Sequence, residues 1–250
     1  MAAPINDSGQ DPYEGMVATG LEGGITSRIL AHGDRAFVFE VTFDLAHPRM
    51  VALAGQRPPE HFHPYQDEYV EVTRGRLVVE VEGREHVLTP ATGEFVIPRW
   101  ANHRLYPPPP PSPAAAGTAT GGGDGGDEDG KETRFLLSGE DTPRVFRLDA
   151  VFFENWYAYQ DEVLLRGKSI DVLQVMCTFD AGGSYLSLPW WVPFRRTVAL
   201  VLGVALGRCV GALLGYQPFY REWTTDWDAA VEKMGQSVFQ RRFADKAKTD

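Results

Sequence analysis

Three histidines and one glutamate carry the chemistry that can be read from this chain. They lie between residues 55 and 103. The string Gly55-Gln-Arg-Pro-Pro-Glu-His61-Phe-His63-Pro-Tyr-Gln-Asp-Glu68 holds two histidines two positions apart. On a strand, residues i and i+2 face the same side, so both imidazoles point one way. Glu68 opens the next apolar run, and a hairpin folding back would bring its carboxylate to that face. Further on, Gly93-Glu-Phe-Val-Ile-Pro98-Arg-Trp-Ala-Asn-His103 supplies a third imidazole. Three imidazoles and one carboxylate suit Fe, Mn, Ni, Cu or Zn. A six-coordinate ion held this way keeps two positions for a bidentate substrate, or for substrate and dioxygen. Two histidines at this spacing also arise by chance in a chain with six. His32, His47 and His86 fall near turn signals and read as solvated surface residues.

The elements that must position this set read as β. Phe37, Phe39, Val41 and Phe43 alternate with Val38, Glu40, Thr42 and Asp44. Leu77, Val79 and Val81 alternate with Val78, Glu80 and Glu82. That period of two marks half-buried strands. Turn signals at Gly33-Asp34, His47-Pro48, Arg74-Gly75, Glu82-Gly83 and Thr92-Gly93 separate them. Many short strands so close together suggest a small antiparallel sandwich or barrel.

The full spacing resembles that of the cupin superfamily. The first motif is matched at Gly55, His61, His63, Glu68 and Gly75. The second departs twice. Four residues rather than five separate Gly93 from Pro98, and Trp100 stands where the family usually has glycine. The ligand histidine, His103, is kept. The resemblance implies a metal held by His61, His63, Glu68 and His103, with Fe favoured over Mn, Ni, Cu or Zn. It also implies a mainly β fold: a small jelly-roll (double-stranded β-helix) barrel with an α-helical C-terminal extension. The domains would be a flexible N-terminus (1–23), a cupin barrel (24–148) and a helical region (149–250). Phe37, Phe39, Val70, Val72 and Phe95 would face inward. A general base has no clear candidate, and Glu71 should face away from Glu68. Tyr65, Trp100 and Arg104 are candidates for the pocket.

Residues 107–132 are of a different kind. Five consecutive prolines lead into an Ala- and Gly/Asp-rich tract with almost nothing to bury, which reads as a disordered insert. Beyond it, Thr133–Leu137 reads as a strand. Helices follow near 152–165, 170–179, 197–215 and 227–239. The tail from the helices to Gly215-Tyr216-Gln-Pro218-Phe-Tyr220 is similar to that of single-cupin proteins of bacteria and fungi. Fungal members are described as cupin-domain oxidoreductases of polyketide secondary metabolism. That resemblance implies oxidation of a small aromatic or polyketide-derived metabolite. The alternatives are a non-redox isomerase, dehydratase or cyclase using the metal as a Lewis acid, and a non-catalytic small-molecule-binding cupin.

The 250 residues carry a net charge of −10, which argues against nucleic acid as a partner. Cys177 and Cys209 are too few for a disulfide scaffold. The first fifteen residues lack a signal-peptide pattern, so the expected location is intracellular, either cytoplasmic or membrane-associated. The last expectation comes from residues 197–216. Their twenty residues could span a bilayer, aromatics flank them, and Gly203, Gly207, Gly211 and Gly215 repeat every four positions. Against spanning stands Arg208, which costs roughly 2.5–3.5 kcal/mol at mid-membrane. The other readings are a helix packed on the barrel with Arg208 paired, or a homodimer contact.

Overall fold

The computed structural model describes residues 15, 17–31, 33–108 and 130–247. The β elements are β1 (Val17–Gly20), β2 (Ile25–Ile29), β3 (Arg35–Asp44), β4 (His61–Phe62), β5 (Glu68–Arg74), β6 (Leu77–Val81), β7 (Arg84–Leu88), β8 (Phe95–Ile97), β9 (His103–Tyr106), β10 (Glu132–Glu140) and β11 (Tyr185–Leu186). They form two antiparallel sheets. One has the order β1-β2-β3-β10-β5-β8, the other β11-β4-β9-β6-β7.

The pairings are nested. β3 pairs with β10, β4 with β9, β5 with β8 and β6 with β7, and successive pairs alternate between the two sheets. One long hairpin is thus wound on itself, which is the jelly-roll barrel. Gly75 makes the tight turn after β5. Its φ is +72°, and a Cβ there would lie 2.4 Å from the Glu132 carbonyl, so no larger residue fits. Inside, the alternating positions meet: Phe37, Phe39, Val41, Val70, Val72, Leu77, Val79, Phe135 and Leu137 form one buried core. Phe95 is only partly buried against it.

The chain makes α1 (Pro48–Ala52), α2 (Ala150–Leu164), α3 (Val172–Ala181), α4 (Arg195–Leu214), α5 (Trp227–Gly235) and α6 (Arg241–Ala247). Asp149 caps α2 through the Phe152 amide, and Asp171 caps α3 through the amides of Leu173 and Gln174. α2 sets Phe153 against the rings of Phe37 and Phe39, with centroids 5.3 and 4.9 Å away. The helical half therefore shares the barrel's core. Within α4, residues Gly203–Gly211 are wound as π-helix. Gly207 there sits where a Cβ would meet the Met176 carbonyl at 2.4 Å, so α4 lies directly on α3.

Three expectations are corrected. Residues 17–23, taken as flexible, form β1 and a short 3-10 turn, because β1 pairs with β2 and Asp161 accepts the Leu21 amide at 2.8 Å. β11, inside the expected helical region, is the outer partner of β4. His47 is not merely solvated: it caps α1, its Nδ1 accepting the Arg49 amide at 3.3 Å. His86 is exposed, as expected, on β7 just after the Glu82-Gly83 turn. His32 and residues 109–129 of the insert lie outside the described residues.

Candidate metal centre

His61 and His103 face each other across β4 and β9, where they are register partners. His63 follows β4 and points the same way, as the spacing requires; its ring centre lies 5.1 Å from that of His61 and 5.1 Å from that of His103. One ligating nitrogen of each comes within 4.8 Å of the others. Glu68 arrives from the opposite sheet, not by a hairpin from β4. The β4–β5 connection crosses the barrel, and β5 pairs with β8 and β10. Glu68 Oε2 then lies 3.0 Å from His103 Nε2, both side chains being almost fully buried. Along β5, Glu68, Val70 and Val72 are buried and Glu71 lies on the other face.

The donor atoms are prepared for an ion. The Nδ1 atoms of His103 and His61 lie 2.9 Å from the Ala101 carbonyl and 3.3 Å from the Pro59 carbonyl. An Nδ1–H donating there leaves each Nε2 with a free lone pair. Burial, followed by the neighbouring imidazoles, holds His61 well below the ordinary histidine value. Burial and His103 do the same for His63. Both are therefore neutral, the form that ligates. At His103 burial pushes down, but the Glu68 carboxylate outweighs it and the value rises. Both nitrogens of His63 are buried without a hydrogen-bond partner, and Nε2 of His103 and Oε2 of Glu68 have only each other, 3.0 Å apart. Native proteins rarely tolerate such atoms without a reason, and this converging set fits a bound cation. The residues present thus fit a divalent transition metal.

The pocket candidates fall elsewhere. Arg104 follows inward-facing His103, so alternation turns it outward, where it holds Glu80 with bonds of 2.9 and 2.8 Å. Trp100 adopts φ +69°, the conformation its glycine-typical position demands. It stacks outside the sheet on Phe62 at 5.6 Å. Tyr65 lies under the Arg144 guanidinium, 4.6 Å away.

The residues that do line the approach come from the helical half. Phe179 of α3 sits 6.1 Å from the His61 ring, and Trp156 of α2 stands 4.7 Å from Phe179. Tyr157 accepts a hydrogen bond from Ser27 Oγ at 3.3 Å. Burial, with the Glu68 charge adding to it, raises the Tyr157 phenol against the pull of Ser27. The aromatic density of Phe152-Phe153-Glu-Asn-Trp156-Tyr157 was the available signal.

Fold and site together give the arrangement that the cupin resemblance implies: a jelly-roll barrel carrying three histidines and a glutamate inside it. No protein-family model matches the chain. A cupin of the RmlC-like type from Shewanella frigidimarina is similar to it at 15% identity and a TM-score of 0.33, over 54% of this chain and 91% of that one. Closer likeness is found among fungal proteins. An oxidoreductase of Arthrobotrys oligospora is 45% identical over 212 residues, 84% of this chain and 77% of its own length. Oxidoreductase macE of Penicillium terrestre is 43% identical over 246 residues, 95% of this chain and 86% of its own. The chain belongs to this family of fungal oxidoreductases.

Proposed function

We propose that this chain is a metal-dependent cupin oxidoreductase acting on a small aromatic or polyketide-derived metabolite in secondary metabolism. The observation that carries the reading is the buried, converging set of donor atoms on His63, Glu68 and His103, with no hydrogen-bond partner outside the set, beside neutral His61. A transition metal bound there, with Fe favoured, supplies redox chemistry or Lewis acidity at positions left open to substrate. His61, His63, Glu68 and His103 hold it.

The chain's own side chains describe the substrate. Inward positions on the strands are Ser27, Ile29, Phe37, Phe39, Val41, Val70, Val72, Val79, Phe135 and Leu137, and none carries a cation. Phe153, Trp156 and Phe179 offer ring faces to a flat molecule. Tyr157 keeps its proton, and because Ser27 donates to it, that hydrogen is available to a substrate oxygen.

The test is elemental analysis of the purified protein together with oxygen uptake on a panel of phenols and related polyketide aromatics. About one transition metal per chain and substrate-dependent oxygen uptake support the reading. A folded, active protein free of metal overturns it. Turnover without oxygen uptake moves the reaction to the isomerase, dehydratase or cyclase class.

A further inference from the structure

We propose that the outer face of α4, with the 190–194 turn before it, lies in the plane of an anionic membrane surface and does not cross it. The helix is long and apolar enough to span, yet only 28% of its apolar window is buried in the protein. The uncovered part is contiguous. Trp190, Trp191 and Phe194 are 84%, 68% and 85% exposed, and along one side of the helix follow Val201, Leu202, Val210, Leu213 and Leu214. Leu164, Ile170 and Val172 are also exposed, at the ends of α2 and α3. The Tyr216 hydroxyl, just past α4, donates to Asp171 at 2.8 Å and ties that end of the helix to them. Exposed apolar surface of this extent marks an interaction site, and two tryptophans and a phenylalanine at its edge suit the headgroup boundary.

The opposite side of α4 is not free to enter lipid. Gly203 and Gly207 lie against Tyr185 and the Met176 backbone. Arg208 grips the fully buried Asp180 through bonds of 2.7 and 2.9 Å, and the Tyr185 hydroxyl donates to the same carboxylate. A spanning helix would have to break that pair, whereas a helix lying flat keeps it.

Charge favours a lipid surface over a second copy of this chain. With Arg208 neutralised by Asp180, the face carries Arg195 and Arg196 at its N-terminal end and no acid from 181 to 214, in a protein of net charge −10. At one end of the face Arg195 and Arg196 share the single carboxylate of Glu82. At the other, Arg166 and Lys168 share that of Glu162. The first cluster keeps a surplus positive charge, which repels its own copy and attracts anionic headgroups, whereas Asp161 and Asp171 offset the two cations of the second.

The full chain should float with vesicles of phosphatidylcholine and phosphatidylserine and show a blue shift of tryptophan emission. Alkaline carbonate should release it. The variant W190A/W191A/F194A, which removes only exposed side chains, should lose about tenfold or more of vesicle affinity. Leu213→Glu should weaken it independently, with unchanged circular dichroism in both cases. The absence of flotation, retention of the protein through carbonate, or a solution dimer dispersed by the triple variant would each overturn the proposal.

Discussion

Two buried polar clusters lie on either side of Tyr185, and their bookkeeping differs. Between α3 and α4, Asp180 receives two bonds from Arg208 and one from Tyr185. Across β4, His63, Glu68 and His103 keep four buried atoms with no hydrogen-bond partner outside the cluster, where Glu68 Oε2 and His103 Nε2 lie 3.0 Å apart. The first cluster is complete in itself, so it holds one helix on another. The second keeps donor capacity that fits an added cation. Unpartnered buried atoms also occur elsewhere, as at Gln240, so it is their convergence with three imidazoles that marks the candidate site.

That contrast can be broken by substitution. His63→Ala should cut metal content and turnover by about a hundredfold or more, while the metal-free protein loses only what the cavity left by the buried ring costs, about 2 kcal/mol. Elemental analysis and calorimetry check it. A metal-free loss as large as that of Asp180→Ala would make His63 a structural residue. Asp180→Ala should do the reverse. Leaving Arg208 without its carboxylate costs about 3–5 kcal/mol in denaturant melts, while the folded fraction keeps its metal. Glu80 offers a smaller effect on the outer face of the barrel. The Arg104 bonds lead in holding its carboxyl below the ordinary 4.5, against burial and helped by Tyr106 and Arg57. A carboxyl lowered by folding adds stability above its unfolded value and loses it as pH falls through the folded one. Glu80→Gln should therefore flatten the acid side of the stability curve below about pH 5. The loss at neutral pH should be about 1 kcal/mol, discounted because Arg57 is half-exposed. Smallest on stability is Phe179→Leu. It should raise KM for an aromatic substrate severalfold with kcat nearly kept, as measured by initial rates.

Much of the metal set was readable because it rests on local geometry. His61 and His63 share a face by strand alternation alone, and the same rule set Glu71 opposite Glu68. The same alternation turns Arg104 away from His103 and onto Glu80. What could not be read depends on contacts distant in sequence. Glu68 reaches the histidines by a crossing between sheets, a step with no local signature. Tyr157 and Phe179 reach the pocket because α2 and α3 fold back over the barrel, although residues 149–250 look like a separate helical tail. Trp100 shows a third kind of limit. A bulky residue in a left-handed conformation is disfavoured on its own, and here the stack on Phe62 accompanies it.

The two-residue strand β11 has a consequence in time. β4, which carries His61, has β9 on one side and β11 on the other, and the Ser187 amide donates to the Glu60 carbonyl at 2.8 Å beside it. During synthesis every candidate donor side chain is made by residue 103, yet the strand bearing His61 gains its second neighbour only after residue 186 has left the ribosome. A chain stopped at the end of the barrel would carry all four candidate donors and still lack the strand that flanks one of them. The sheet around His61 is therefore completed by the C-terminal half of the chain.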